Sequence, residues 1–213
     1  MSKHRDNYFG KSRGEVAELI PSGVERVLEI GCGEGIFRSN FAQVREYVGV
    51  EPDPDAAAEA AAKLDKVYVG TYEDVAARLP LGYFDLVVCN DVIEHMADHD
   101  WFLNNIRKHM RPSSALLGSI PNVRFFRTMY GLLIRKTWRY ADWGVLDRTH
   151  LRFFTESSWR QALLDHNYRI ESMKGLPESF SNHSRRRRWA ERAWIQLLGS
   201  DSRFMQFAFL ART

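Results

Sequence analysis

The residues best able to do chemistry lie in three places. The first is Gly31-Cys32-Gly33-Glu34-Gly35, which leaves the apolar run Val27–Ile30. Glycines at this spacing let the backbone approach a ligand that side chains would block. The second is Glu51, closing the run Tyr47–Val50, where a carboxylate can accept both hydroxyls of a ribose. The third is Phe84-Asp85-Leu86-Val87-Val88-Cys89-Asn90-Asp91, which continues into Val92-Ile93-Glu94-His95. The glycine spacing is GxGxG rather than the GxGxxG of dinucleotide sites.

Two histidines are candidates for moving a proton, His95 and His150. His95 follows the Phe84–Asp91 run, at the carboxyl edge of a sheet where open α/β folds bind ligands. His150 lies in Leu146-Asp147-Arg148-Thr149-His150-Leu151-Arg152-Phe153-Phe154-Thr155. His99, His109 and His166 fall on expected helices or their ends and read as surface residues. The D-x-x-E-H spacing of Asp91, Glu94 and His95 places them on neighbouring faces of one helical turn. With His150 they would make an oxygen and nitrogen set suited to a divalent cation. The histidines are read first as bases, with no metal; the metal set is the alternative.

These groups need a frame, and the sequence supplies an alternating one. Strands are expected at Arg26–Ile30, Tyr47–Val50, Lys66–Val69, Phe84–Cys89 and Ala115–Ile120. Helices are expected between them at Gly14–Ile20, Gly35–Gln43, Pro54–Leu64 and Asp98–Met110. This βαβ rhythm implies a parallel sheet with helices on both faces. A helix at Ser157–His166 and strands at Tyr168–Met173 and Phe204–Ala211 complete the expected elements. The 213 residues read as one domain, 1–213, and at 45% apolar they are enough for a proper core.

Thirty basic and 27 acidic residues give a net charge of +3, too balanced for a nucleic-acid binder on charge alone. Two cysteines, Cys32 and Cys89, are too few for a disulfide framework and fit a reducing cytoplasmic setting. The polar stretch Met1–Tyr8 does not read as a secretory signal. No apolar run approaches the roughly 18–20 residues that span a bilayer.

With those motifs in this order, the sequence resembles the class I S-adenosylmethionine-dependent methyltransferases from about Tyr8 to Thr155. The resemblance implies a Rossmann-like, doubly wound, seven-stranded sheet, mostly parallel with an antiparallel final strand. It implies S-adenosylmethionine as cofactor and S-adenosylhomocysteine as product. Val27–Gly35 matches the family's first motif, which implies cofactor contacts from Glu29, Gly31, Cys32, Gly33 and Gly35. Glu51 matches the ribose-binding acid, with Pro52 beside it. Gly70–Asp74 lies where the family holds adenine; because Thr71 replaces a common Asp, Tyr72 and Glu73 are expected to serve. Asn90, Asp91 and Val92 are expected beside the methionine part. Tyr8 and Arg13 belong to a stretch resembling the segment that closes over the cofactor, and Arg13 is expected to pair the methionine carboxylate. The string around His150 resembles one in bacterial methyltransferases of sugar and surface-polysaccharide biosynthesis. The possible metal set resembles that of small-RNA 2′-O-methyltransferases and, more loosely, ubiquinone-pathway O-methyltransferases, with Asp91 one carbon shorter than their first acid.

Two insertions interrupt the frame, 122–153 and 175–202, and are expected to form a lid over the acceptor. Residues 122–152 hold seven basic and two acidic residues, net +5, among many aromatics. Such a mixture suits a sugar-like or phosphate-bearing small acceptor such as a nucleotide-sugar or glycolipid. Asn122, Arg124, Trp143, Arg148 and Arg152 are its expected contacts. Arg185-Arg186-Arg187-Arg188 precedes an amphipathic helix with apolar positions 190, 193, 194, 197 and 198. That helix reads as packed on the core or on a second copy in a homodimer. Contact with a membrane surface or nucleic acid is the alternative reading, with nucleic acid the less favoured of those two. The leading reading is O-methylation of a sugar-type acceptor with a histidine base. The alternatives are metal-assisted 2′-O-methylation of RNA and a non-catalytic cofactor-binding scaffold.

Overall fold

The structure is a computed structural model, and it describes residues 13–177 and 185–213. Tyr8 and Arg185–Arg188 side chains lie outside what it describes. The chain runs α1 (Gly14–Ala17), β1 (Arg26–Ile30), β2 (Glu46–Glu51), α2 (Pro54–Ala61), β3 (Lys66–Val69), α3 (Tyr72–Val75) and β4 (Phe84–Asn90). It continues through α4 (His99–Ile106), β5 (Met110–Pro121), α5 (Phe126–Leu133), α6 (Glu156–Asp165), β6 (Arg169–Pro177), α7 (Arg185–Leu198) and β7 (Phe204–Arg212).

The strands form one seven-stranded sheet in the order β3-β2-β1-β4-β5-β7-β6. β1 to β5 pair in parallel, and β7 runs antiparallel to both β5 and β6. This is the expected mostly parallel sheet with an antiparallel final strand, and the last two strands are inserted in reverse order. β4 is apolar nearly throughout because both its faces are covered. Leu28 and Ile30 of β1 join the core on one face, and Val27 joins the core on the other. That alternation is the two-residue period of a strand.

Helix starts follow from local chemistry. The Asp53 carboxylate accepts from the amides of Asp55 and Ala56, with Pro54 opening α2. Thr71 and Asp74 cap α3 reciprocally, as Thr155 and Ser158 cap α6. The expected helix Gly35–Gln43 is only a 3-10 turn, Ile36–Asn40. There the Ser39 hydroxyl and Asn40 amide bond back to the carbonyls of Ile36 and Phe37, in competition with the backbone ladder. The fifth strand begins at Met110 rather than Ala115, since pairing of Phe84 with Met110 recruits the end of the expected helix.

α5 lies in a segment expected to have no clear period, but its few turns do gather their apolar residues on one side. The two insertions touch: the rings of Tyr130 on α5 and Trp194 on α7 meet edge to face at 5.7 Å.

Candidate cofactor and acceptor site

A cavity of about 630 Å³ opens at the carboxyl edge of the sheet. Its walls are the loops that follow β1, β2, β3 and β4, together with Arg13 and Leu151. After β1 the amides of Gly31 and Cys32 both donate to the Val50 carbonyl, which folds the chain into a tight corner. Gly31 and Gly33 have φ of 68° and 52°, left-handed values open to glycine at little cost. A Cβ at Gly31 would stand 2.5 Å from Val92 Cγ2, so the glycine also lets the loop after β4 close in.

Glu51 is buried at the end of β2. Its Oε2 accepts from the Gly33 amide at 2.8 Å and its Oε1 from the Asp53 amide at 2.9 Å. The carboxylate is thereby fixed against the glycine loop, and each oxygen keeps a lone pair for a ribose hydroxyl. Burial raises its pKa, and the two backbone donors oppose that rise. Pro52 and Glu73 line the cavity as expected. Tyr72 does too, but its hydroxyl donates to Asn105 Oδ1 at 2.8 Å and its ring packs on Trp101 and Phe102. Cys32 also lines the cavity; its thiol is buried, and that burial raises its pKa.

Glu29 forms part of the floor. It accepts from the Tyr47 hydroxyl at 2.8 Å, and burial pushes its carboxyl up to about 8. Asn90, at the end of β4, is buried, and neither its Nδ2 nor its Oδ1 has a hydrogen-bond partner among the described residues. An orphaned amide on a cavity wall is costly alone and is satisfied by a ligand offering both a donor and an acceptor. The methionine end of S-adenosylmethionine offers both, so the residues present fit that cofactor.

Asp91 departs from one expectation. At φ 52° its side chain turns toward β5 and β7, where it accepts from Arg13, Ser119 and Gln206 at 2.6, 2.6 and 2.7 Å. Burial pushes its carboxyl up, but Arg13 and these donors outweigh burial and hold it below the usual range. Asp91 therefore stands apart from Glu94, His95 and His150 and does not join them as a metal ligand. Arg13 lines the cavity, held there by Asp91 and Ser119. Ser119 and Gln206 were not expected at the site. Gln206 arrives from the far end of the sequence, and nothing local marks it.

Three groups do converge on the acceptor side. The His95 and His150 rings meet edge to face at 4.8 Å. His95 Nδ1 lies 3.2 Å from the Thr149 carbonyl and His150 Nδ1 lies 3.1 Å from the Val145 carbonyl. A carbonyl only accepts, so Nδ1 carries the hydrogen in both rings, and in the neutral tautomer the lone pair is on Nε2. His150 Nε2 is 3.9 Å from Glu94 Oε1, and both Glu94 oxygens are buried without hydrogen-bond partners among the described residues. Burial, then the Asp91 charge, raises the Glu94 pKa. Burial, then His150, lowers that of His95. Glu94, His95 and His150 each offer a ligand atom, all within 4.8 Å of one another. His95 borders the cavity beside Met96 and Ala97, whereas His150 stands behind it.

The expected acceptor contacts are mostly engaged elsewhere. Asn122 is fully buried; it donates to the carbonyls of Asp201 and Phe204 and accepts from the Arg124 amide. Arg124 pairs with Asp201 at 2.6 Å and donates to the Leu198 carbonyl. Arg148 pairs with Asp142 at 2.6 Å, and Trp143 is more than half exposed. None of these four lines the cavity, and Asn122, Arg124 and Arg148 are engaged by carbonyls and carboxylates elsewhere in the chain. Arg152 does not line the cavity either, but it donates to the carbonyl of Ala97, which does.

The family model described as Methyltransferase domain matches residues 2–173. A ubiquinone biosynthesis O-methyltransferase of Nitrobacter winogradskyi is 33% identical over 106 residues, covering 46% of this chain and 39% of that protein. The mitochondrial ubiquinone biosynthesis O-methyltransferase of Schizosaccharomyces pombe is 27% identical over 161 residues, covering 71% of this chain and 58% of that protein. The chain thus spans less than two thirds of the length of these relatives. A crystal structure of a SAM dependent methyltransferase from Archaeoglobus fulgidus superposes with a TM-score of 0.68 at 20% identity, over 99% of this chain and 98% of that one, a likeness of fold. The matched span of 2–173 takes in every loop that walls the cavity; the chain therefore belongs to the Methyltransferase domain family, and its cofactor is S-adenosylmethionine.

Proposed function

We propose that the chain transfers a methyl group to a hydroxyl of a small acceptor, with His95 taking the hydroxyl proton. The bound cofactor supplies an electrophilic methyl on a sulfonium. The carrying observation is His95 itself: it borders the cavity, its Nδ1 is held by the Thr149 carbonyl, and its burial disfavours the charged ring. A neutral imidazole with a free Nε2 is a base matched to this task. The protein otherwise contributes position: Glu51, Asn90 and the glycine loop fix one reactant, and the Met96, Ala97 and Leu151 wall shapes the space for the other.

The ubiquinone-pathway names of the relatives also favour oxygen as the acceptor atom. An acceptor with a compact, weakly charged body suits this wall better than a nucleotide-sugar, since Arg124 and Arg148 are paired with acids and Arg152 is bonded to the Ala97 carbonyl. A sugar-type acceptor with one acidic group remains the finer form of the reading. The test is S-adenosylhomocysteine formation with three hydroxyl acceptors: a catechol, an acidic hexose and a nucleotide-sugar. Turnover that disappears in His95→Gln supports the reading. Tight S-adenosylhomocysteine binding with no turnover on any hydroxyl acceptor overturns it.

One observation favours a second form of the same site. The orphaned Glu94 carboxyl beside two imidazoles with free Nε2 atoms is a donor set for a divalent cation of the zinc, manganese or magnesium kind. Glu94, His95 and His150 would hold it, and it would lower the pKa of an acceptor hydroxyl. Full turnover after exhaustive chelation overturns this form. Loss of turnover on chelation, restored by one added metal and absent in Glu94→Gln, supports it.

A further inference from the structure

The exposed apolar surface of this molecule is concentrated in one stretch. Of the thirteen exposed large apolar side chains among the described residues, seven fall between Tyr130 and Trp143. Leu132, Leu133 and Ile134 form the tip of α5, and Trp138, Tyr140 and Trp143 follow in the next turns, each at least 36% exposed. Scattered single exposures are ordinary, but a contiguous group marks a binding face. Leu197 of α7, exposed at 76%, lies on the partner helix that meets α5 through Tyr130 and Trp194.

The charge of these segments is mainly basic. No acidic residue occurs between Asp100 and Asp142, whereas Arg127, Arg135, Lys136 and Arg139 all do. The first acid after them, Asp142, is paired with Arg148. The sequence of α7 adds five arginines against Glu191, net +4. Segments 122–152 and 185–198 together carry +9 in a chain of net +3, so the rest of the molecule is net −6. The molecule is thus polarised, with its apolar tips and its cations on the same insertions.

We infer that this face docks on a lipid bilayer bearing anionic headgroups. Aliphatic tips enter the acyl boundary, tryptophan and tyrosine sit at the headgroup level, and lysine and arginine meet the anionic lipids. A second copy of the chain is a poorer occupant because a self-paired interface would place like charges together. A nucleic acid would use the cations but leave Leu132, Leu133 and Ile134 exposed. Phe153 links the face to the site, touching Trp138 at 5.2 Å and His150 at 6.3 Å. Docking would set the acceptor side of the cavity near the bilayer. No described helix is long and apolar enough to cross the membrane, so the contact is with its surface.

The test is co-sedimentation of the full chain with vesicles of phosphatidylcholine and phosphatidylglycerol, against phosphatidylcholine alone. The expected result is partitioning onto the anionic vesicles that weakens with salt. It should fall by roughly tenfold or more in the double variants Leu133→Glu/Ile134→Glu and Arg135→Glu/Arg139→Glu. S-adenosylhomocysteine affinity, unchanged in both, shows that the variants are folded. No partitioning of the parent chain, or equal partitioning of parent and variants, overturns the proposal. It is also overturned by a dimer in sedimentation equilibrium that the apolar variant dissolves while vesicles stay unbound, or by RNA binding that only the charge variant abolishes.

Discussion

The cofactor half and the acceptor half of this cavity are built on different principles. The cofactor half comes from consecutive strand ends and is fixed largely by backbone: the Gly33 and Asp53 amides hold Glu51, and the Val50 carbonyl holds the glycine corner. The acceptor half joins the loop after β4 to an insertion and is fixed by side chains and carbonyls, most of them far apart in sequence: Thr149 holds His95, Asp201 holds Arg124, and more locally Val145 holds His150. Backbone geometry leaves a local signature in the order of glycines and acids. Side-chain geometry depends on which partner arrives first in three dimensions, and so a basic segment need not be a basic site.

If this contrast holds, substitutions on the two halves should separate. The largest effect is expected from His95→Ala, a loss of roughly 10²–10⁴ in turnover with the S-adenosylhomocysteine dissociation constant nearly unmoved. Equal losses in both would show that His95 belongs to the cofactor half. Glu51→Ala should do the reverse and weaken cofactor affinity by ~10- to 200-fold, for loss of a charged hydrogen-bonding group worth roughly 1.5–3 kcal/mol, with little change in the acceptor KM. Isothermal titration with S-adenosylhomocysteine measures it, and an unchanged constant would remove Glu51 from the ribose.

Smaller effects sharpen the electrostatics. The folded Glu29 carboxyl titrates near 8 rather than 4.5, so above pH 4.5 the unfolded chain loses this proton while the folded chain keeps it. Stability from Glu29 is therefore present below pH 4.5 and is lost as pH rises toward 8. Glu29→Gln should stabilise the ligand-free chain more at pH 8 than at pH 4.5, by about 1–2 kcal/mol of unfolding free energy after relaxation of the buried site, read as a larger rise in Tm at pH 8. A gain independent of pH would show that Glu29 titrates normally. His95 is held below 6.5 by burial and by His150. As a base it should give a kcat/KM that climbs through that lower pKa and is flat from neutral pH upward; an ascending limb centred above 6.5 would assign the proton to another group.

The smallest effect is expected from Arg124→Ala. It loses a part-exposed pair with Asp201, about 0.5–1 kcal/mol of stability, and leaves the acceptor KM unchanged. A large rise in KM would return Arg124 to the acceptor site and break the contrast.

The sequence by itself determined the parallel frame, the glycine corner, Glu51 and the polar end of β4, because each depends on residues close in sequence and on a period that a buried strand imposes. It also marked Glu94, His95 and His150, though not that Asp91 stands apart from them. Only the tertiary structure decided that Asp91 belongs to Arg13, Ser119 and Gln206, that Arg124 and Asn122 tie the insertions to β7, and that α5 packs on α7. Those contacts join residues up to 115 positions apart. Whether a charged side chain faces a ligand, a partner acid or solvent depends on which of them is nearest after folding, and no local pattern carries that distance.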